Sequence, residues 1–199
     1  MKKNNKGFTL IEMMVVVAII AGTAALVIPR LGNRNNKTKA ILREITILSR
    51  QLHTKAKLNG TIYRLVIDMK DGADGKGTQE YWVEKSSNST LIRTDDPEED
   101  NPSKEPKPPS DFAPDSSVMK KPSPLPNEMY FAKVELTRLS EPVTRGKAYI
   151  HYMPQGLVEE SAIHLKSGKD RKWTISIHPL TGKAEVISEE TSLQEIRSQ

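Results

Sequence analysis

Hydrophobic and polar positions follow three patterns in succession along the chain. Residues 8–28 are apolar with a single charge at Glu12, and residues 41–56 place apolar side chains three or four positions apart, as on one face of a helix. From Thr61 onward, short stretches alternate with a period of two, which is typical of strands. The order therefore predicts an apolar helix, an amphipathic helix and a β-rich region.

The apolar stretch 8–28 has the length of a transmembrane helix. Its 21 residues, at a rise of about 1.5 Å each, span about 31 Å, close to the hydrocarbon thickness of a bilayer. A conventional secretory signal cleaved near Ala25 is the alternative interpretation. Against it, the stretch is longer than a usual signal core and contains Glu12, whose burial in hydrocarbon requires a compensating partner.

The residues Lys6-Gly7-Phe8-Thr9-Leu10-Ile11-Glu12, followed by an apolar helix, resemble the class III signal of type IV pilins and pseudopilins. The resemblance implies that residues 1–7 are a leader, which a prepilin peptidase removes by cutting between Gly7 and Phe8. Phe8 would then be N-methylated. Glu12 would become the fifth residue and pair with the terminal amine of a neighbouring subunit in a filament, since opposite charges compensate each other in low dielectric.

Such a leader implies a single-pass protein of the bacterial inner membrane with its head in the periplasm. The charge count opposes this orientation, because three lysines precede the span whereas five basic residues follow it closely. We give the count less weight, since long downstream domains translocate largely regardless of charge and the cleavage motif must face the cytoplasm.

Residues 29–60 are predicted to form an amphipathic stem helix. Pro29 removes a backbone donor and predicts a hinge at its start. The apolar face predicted to pack on the head comprises Ile41, Ile45, Leu48 and Leu52, continued by Ala56. Eight basic residues between Arg30 and Lys57, opposed only by Glu44, could contact lipid head groups or acidic neighbours, or simply face solvent.

Residues 61–199 are predicted to be a β-rich globular head, interrupted by an insertion at 94–128. The insertion contains nine of the thirteen prolines, nine acidic and four basic side chains, and few apolar ones. We expect it to be flexible, because it cannot bury enough apolar surface to order itself. The predicted fold class is thus α+β, with a long amino-terminal hydrophobic helix packed on a small antiparallel β-sheet or sandwich head.

The carboxy-terminal strands resemble those of the GspH/FimT group of minor pseudopilins and pilins. The resemblance rests on Tyr149-Ile150-His151-Tyr152-Met153-Pro154-Gln155-Gly156 and on the final hairpin around Thr181-Gly182. It leaves the proline-rich insertion unaccounted for.

Catalytic chemistry is not indicated, and we predict neither an enzyme nor a cofactor. No HExxH, GxSxG or P-loop motif occurs, the absence of cysteine excludes thiolate sites, and the four histidines fit packed or surface positions better than acid–base roles. The loop 68–77 contains Asp68, Asp71 and Asp74 but lacks EF-hand spacing, so a surface loop is favoured over a calcium site and no metal ligand is assigned.

The formal charge of +5 falls to +2 without the three lysines of the leader, which weakens a nucleic-acid interpretation.

The resemblances lead to a functional hypothesis: a minor pseudopilin at or near the tip of a type II secretion pseudopilus, which helps filament assembly and the export of folded proteins. Its expected partners are a prepilin peptidase, other minor and major pseudopilins, and the inner membrane. A FimT-like minor pilin of a type IV pilus, with possible DNA binding, is the first alternative. A secreted soluble protein or a bitopic membrane protein with an unrelated head is the alternative from another class.

Overall fold

The computed structural model describes residues 9–70, 78–86, 111–126, 129–168 and 170–198, except for the side chains of residues 24–35. By their internal contacts the residues form two compact units, 1–39 and 40–199. One helix, α1 (Leu10–Asn59), runs through both. By hydropathy, none of the helices in the described part of the chain is long and apolar enough to cross a membrane.

The second unit combines the end of α1 with two antiparallel sheets, which confirms the predicted α+β class. Sheet A has the strand order β3-β2-β1-β6, with β4 also paired to β2, and sheet B has the order β5-β7-β8-β9. The strands are β1 (Tyr63–Met69), β2 (Glu80–Ser86), β3 (Phe112–Pro114), β4 (Ser123–Pro124), β5 (Met129–Leu136), β6 (Gly146–Tyr152), β7 (Ser161–Ser167), β8 (Arg171–Ile177) and β9 (Ala184–Ile187).

A single hydrophobic core joins the helix to both sheets. Alternate residues of the strands point into it, as the period of two requires, with Leu65 from β1, Phe131 from β5 and Ile163 from β7 fully buried. The helix contributes Leu52 and Ala56, both without solvent exposure. The helix therefore covers apolar surface that neither sheet could bury alone.

The expectation that residues 94–128 lack regular structure is wrong for residues 111–126. Strands β3 and β4 both pair with β2, and the Leu125 N–H donates to the Gln79 carbonyl at 2.8 Å. Leu125 is buried, and the Phe112 ring lies 4.0 Å from the Arg64 guanidinium. Two large side chains and the edge of β2 thus anchor a segment whose average composition is polar; residues 94–110 and 127–128 lie outside the described residues.

A short carboxy-terminal helix, α2 (Leu193–Arg197), was not predicted. Ser192 and Glu195 form a reciprocal capping box, and the Leu193 N–H donates to the Glu135 carboxylate at 2.9 Å. The Ser-x-x-Glu spacing was the available signal. This helix ends the segment that covers the outer face of sheet B.

Candidate functional site

The first turns of α1 carry apolar side chains around the whole circumference of the helix. Their exposed fractions run from 44% at Val16 to 79% at Leu10. A helix that is apolar on every side is stable only when lipid or other helices surround it. The residues concerned are Leu10, Ile11, Met13, Met14, Val15, Val16, Val17, Ile19 and Ile20.

Glu12 lies in the first turn of this helix. The Thr9 hydroxyl accepts a hydrogen bond from the backbone N–H of Glu12 at 3.3 Å, so Thr9 acts as the N-cap. A carboxylate in the first turn also interacts favourably with the positive end of the helix dipole. The capping role of Thr9 was not predicted, although the Thr-x-x-Glu spacing indicates it.

The carboxylate of Glu12 is exposed and forms no ion pair with the described part of its own chain. Gly7 and Phe8, the predicted processing residues, lie outside the described residues. Helix α1 continues without a break through Pro29. The side chain of Pro29 is among those not described, and the hinge stays a prediction.

The predicted stem face lies in the core of the second unit. Ile45 is 1% exposed and Leu52 is fully buried, and Ile41 and Leu48 belong to the same cluster. Ser49, which was not predicted to have a role, lies between Leu48 and Leu52 on this buried part of the helix. A small polar residue amid an apolar face was the available signal.

Ser49 connects the helix to both sheets through buried hydrogen bonds. Its hydroxyl donates to the Gly182 carbonyl at 2.8 Å and accepts from the Tyr152 hydroxyl at 3.0 Å. Complete burial raises the pKa of the Tyr152 phenol, so this group stays a neutral donor. The contact fixes the rotation of the helix relative to β6 and the final hairpin.

Two turns approach the helix so closely that only glycine fits them comfortably. Gly182 has φ +62°, and a Cβ added there would lie 2.5 Å from the Cβ of His53. At Gly156, with φ +89°, an added Cβ would lie 3.3 Å from the Lys57 side chain, and the Gly156 carbonyl accepts from His53 Nε2 at 3.0 Å. These glycines belong to the two sequence patterns on which the second resemblance rests.

Of the remaining histidines, His151 and His164 are buried in strands, whereas His178 is exposed just after β8. His151 lies 2.9 Å from the Glu159 carboxylate through Nδ1, and His178 Nδ1 accepts from the Leu180 N–H at 3.3 Å. Among the residues that the structure describes, no three histidine or acidic side chains are arranged to hold a metal ion. Of the loop 68–77, Asp68 is described; it is buried and lies 3.5 Å from the Lys70 ammonium.

His164 is the most buried titratable group on the outer face of sheet B. Its Nε2 lies 3.1 Å from a Glu135 carboxylate oxygen, and its Nδ1 lies 3.2 Å from the Thr174 hydroxyl. Burial lowers the His164 pKa, and the positive charge of Lys133 lowers it further, against the opposing effect of Glu135. The histidine is therefore held neutral beneath the carboxy-terminal segment.

We expect the head to lose stability as the pH falls below the ordinary histidine pKa of about 6.5. The pKa of His164 is lower in the folded state than in the unfolded state. Above the unfolded-state pKa, the neutral histidine therefore contributes fully to the free energy of unfolding. This contribution is lost as the pH falls through the folded-state pKa. Urea denaturation at several pH values checks this, with His164→Gln as the variant that cannot titrate. Parallel stability curves for the two proteins would contradict the assignment.

Comparisons with known proteins bear on the amino-terminal segment. Residues 2–21 match the family model of the prokaryotic N-terminal methylation motif. The chain is 36% identical over 74 residues to the type IV major fimbrial protein FimA of Dichelobacter nodosus, an alignment that covers 37% of this chain and 42% of that protein. No solved structure matches.

These matches are to structural proteins rather than enzymes, in agreement with the sequence prediction of no enzymatic activity. The motif coincides with the helix segment whose apolar surface and single carboxylate are described above. The chain therefore carries a match to the N-terminal methylation motif at the start of a long helix, followed by an antiparallel β head, and is similar over part of its length to a type IV major fimbrial protein.

Proposed function

We propose that the protein is a processed subunit of an envelope filament, specifically a minor pseudopilin at or near the tip of a type II secretion pseudopilus. One observation carries the filament part of the proposal. A helix that is apolar all round bears one exposed carboxylate, Glu12, within the segment that matches the methylation motif. Neighbouring helices would cover the apolar surface, and a neighbour's terminal amine would neutralise the charge.

The proposal includes the processing steps and the location. A prepilin peptidase removes residues 1–7, Phe8 becomes the methylated terminus, and the helix anchors the subunit in the inner membrane with its head in the periplasm. Intact-mass analysis of protein from membranes tests this. We expect a start at Phe8 with one added methyl group, whereas a start near Ala25 would establish conventional secretion and exclude the filament.

Glu12→Gln should leave cleavage largely intact but reduce incorporation into the filament by at least about tenfold, because a buried terminal amine would lose its partner. Co-purification with the other pilin-like proteins from detergent-solubilised inner membranes measures incorporation. Glu44→Gln, which removes an exposed carboxylate farther along the same helix, is the matched control and should behave like wild type. Normal incorporation of Glu12→Gln would remove the pairing role of Glu12.

A pilin of a type IV pilus is the second candidate, and the similarity to a major fimbrial protein favours it. That similarity covers less than half of either protein, whereas the GspH/FimT-like hairpin pattern favours a minor subunit. Deleting the gene separates the two candidates. Loss of exported proteins with normal surface pili supports the pseudopilus, and loss of pili with normal export supports the pilus. DNA binding, if present, should weaken steeply as salt is raised.

A further inference from the structure

A groove of about 790 Å³ lies in the second unit between the helix, the segment after β3 and the start of β9. The helix side contributes Ile47, Arg50 and Lys55. Val118 and Ala184 contribute apolar surface on the other sides. No described residue fills the groove, and its walls include the outer edge of sheet B.

The outer edge of β9 carries backbone groups without a strand partner among the described residues. The His178 N–H donates to the Lys183 carbonyl at 2.9 Å, so the backbone of Lys183 points toward β8. Bonding direction alternates along an antiparallel strand. The N–H and C=O groups of Ala184 and Val186 therefore point away from β8, toward the open edge.

The backbone of Gly182, two residues before Ala184, follows the same alternation. The carbonyl of Gly182 also points away from β8, and there it accepts a hydrogen bond from the Ser49 hydroxyl of the helix. Beyond this contact the helix leaves the edge uncovered, and the groove begins at Lys183 and Ala184. Val186, two residues farther on, is 41% exposed.

The lining of the groove combines positive charge with exposed apolar surface. Arg50, Lys55 and Lys183 line it, and no carboxylate does among the residues that the structure describes. The Lys183 ammonium pairs with Glu185 at 2.6 Å, and the Lys55 ammonium donates to the Ser117 hydroxyl at 3.1 Å. Ile47 is 47% exposed and lines the same groove.

We propose that this groove binds an extended, acidic peptide segment of a partner protein, which adds to sheet B as a strand next to β9. Backbone pairing with Ala184 and Val186 gives the segment its direction and register, as in other cases of strand addition to a sheet edge. Its alternate side chains face Ile47 and Val118, and its carboxylates face Arg50 and Lys55. The open edge of β9 favours a peptide over other anions, because its N–H and C=O groups repeat at the spacing of the backbone groups of an extended chain.

The proposal concerns residues 46–55, 117–118 and 183–186 and is independent of leader processing and of the filament. Its failure would leave the proposed function untouched, and failure of the proposed function would leave the groove and its edge as they are.

Binding of a synthetic peptide to the full chain in detergent micelles tests the proposal. The probe is a fluorescent octapeptide of alternating glutamate and valine, and the comparison peptide replaces glutamate with lysine. Fluorescence anisotropy should show the acidic peptide binding at least about tenfold more tightly than the basic one. Equal binding of the two peptides, or no binding of the acidic one, would overturn the proposal.

Val186→Pro is the sharpest variant, because it deletes an N–H that points to the open edge rather than to β8. Proline is tolerated at such edge positions, so the fold should survive while peptide affinity falls at least about tenfold. Val186→Thr keeps the N–H and should bind like wild type. If circular dichroism shows that the proline variant is misfolded, hydrogen exchange on the wild-type protein replaces it as the test. The amides of Ala184 and Val186 should then gain protection when the peptide binds. Unchanged exchange would overturn strand addition.

Arg50→Glu tests the charge of the groove separately from its backbone edge. We expect acidic-peptide affinity to fall by about fivefold or more and basic-peptide affinity to rise. Arg145→Glu reverses an exposed arginine in the segment before β6, outside the groove, and is the matched control. Equal effects of the two substitutions would show that net charge, not the groove, attracts the peptide.

Discussion

Gly182→Ala should lower the free energy of unfolding of the head by about 2–4 kcal/mol. The left-handed backbone at φ +62° accounts for about 1 kcal/mol, because a Cβ crowds the following carbonyl. The larger part comes from overpacking, since the new methyl group would lie 2.5 Å from the His53 Cβ, which is attached directly to the helix backbone and cannot rotate away. Relief of this clash would also pull Ser49 from the Gly182 carbonyl. Urea denaturation of the full chain in detergent, followed by tryptophan fluorescence, measures the change.

Gly168→Ala is the matched control for backbone strain. Gly168 has φ +66°, nearly the same as Gly182, but an added Cβ there meets nothing within 4 Å. Its cost should therefore be about 1 kcal/mol, from strain alone. Equal destabilisation by the two substitutions would show that the helix and the final hairpin separate easily, contrary to the close contact described here.

Leu52→Ala should lower the free energy of unfolding by about 2–5 kcal/mol. Leu52 is fully buried in the core that joins the helix to the sheets, so its truncation removes apolar contacts and leaves a cavity. The surrounding strands are tied by their hydrogen bonds and can collapse into the space only in part. Thermal or urea denaturation of the full chain checks the value.

Leu58→Ala provides the control on the same helix. Leu58 is 79% exposed, and its truncation should change the free energy of unfolding by less than about 0.5 kcal/mol. If Leu52→Ala were as mild as this control, the helix would contribute little to the stability of the head. The predicted stem face would then be buried without stabilising the head.

The architecture was largely predictable from local patterns. The period of two in Tyr63, Leu65 and Ile67 directs these side chains to one face of β1, and all three lie in the core. The helical spacing of Ile45, Leu48 and Leu52 likewise predicts one buried face. Both predictions succeed because burial of apolar surface is the dominant favourable term in folding, and the periodicity of the backbone determines which side chains can share a face.

Polar and glycine positions were less predictable. Ser49 interrupts an apolar face, and only its two buried hydrogen-bond partners, Gly182 and Tyr152, explain why it is there. These partners are 133 and 103 residues away along the chain, beyond the reach of any local pattern. Residues 111–126 show the same limit, because average composition does not reveal that Phe112 and Leu125 find partners on sheet A.

Apart from β3, β4 and α2, the amino-acid sequence alone determined the succession of helix and strands, the apolar amino-terminal helix with its single carboxylate, and the resemblance to pilin signals. These are properties of neighbouring residues, set by spacing and hydropathy. Only the tertiary structure decided which turns approach the helix, where His164 is buried, and that β9 ends sheet B with its backbone groups open beside Arg50 and Ile47. Those features arise when segments far apart in the chain are brought together, because strand order and long-range hydrogen bonds depend on the packing of the whole head rather than on any local pattern.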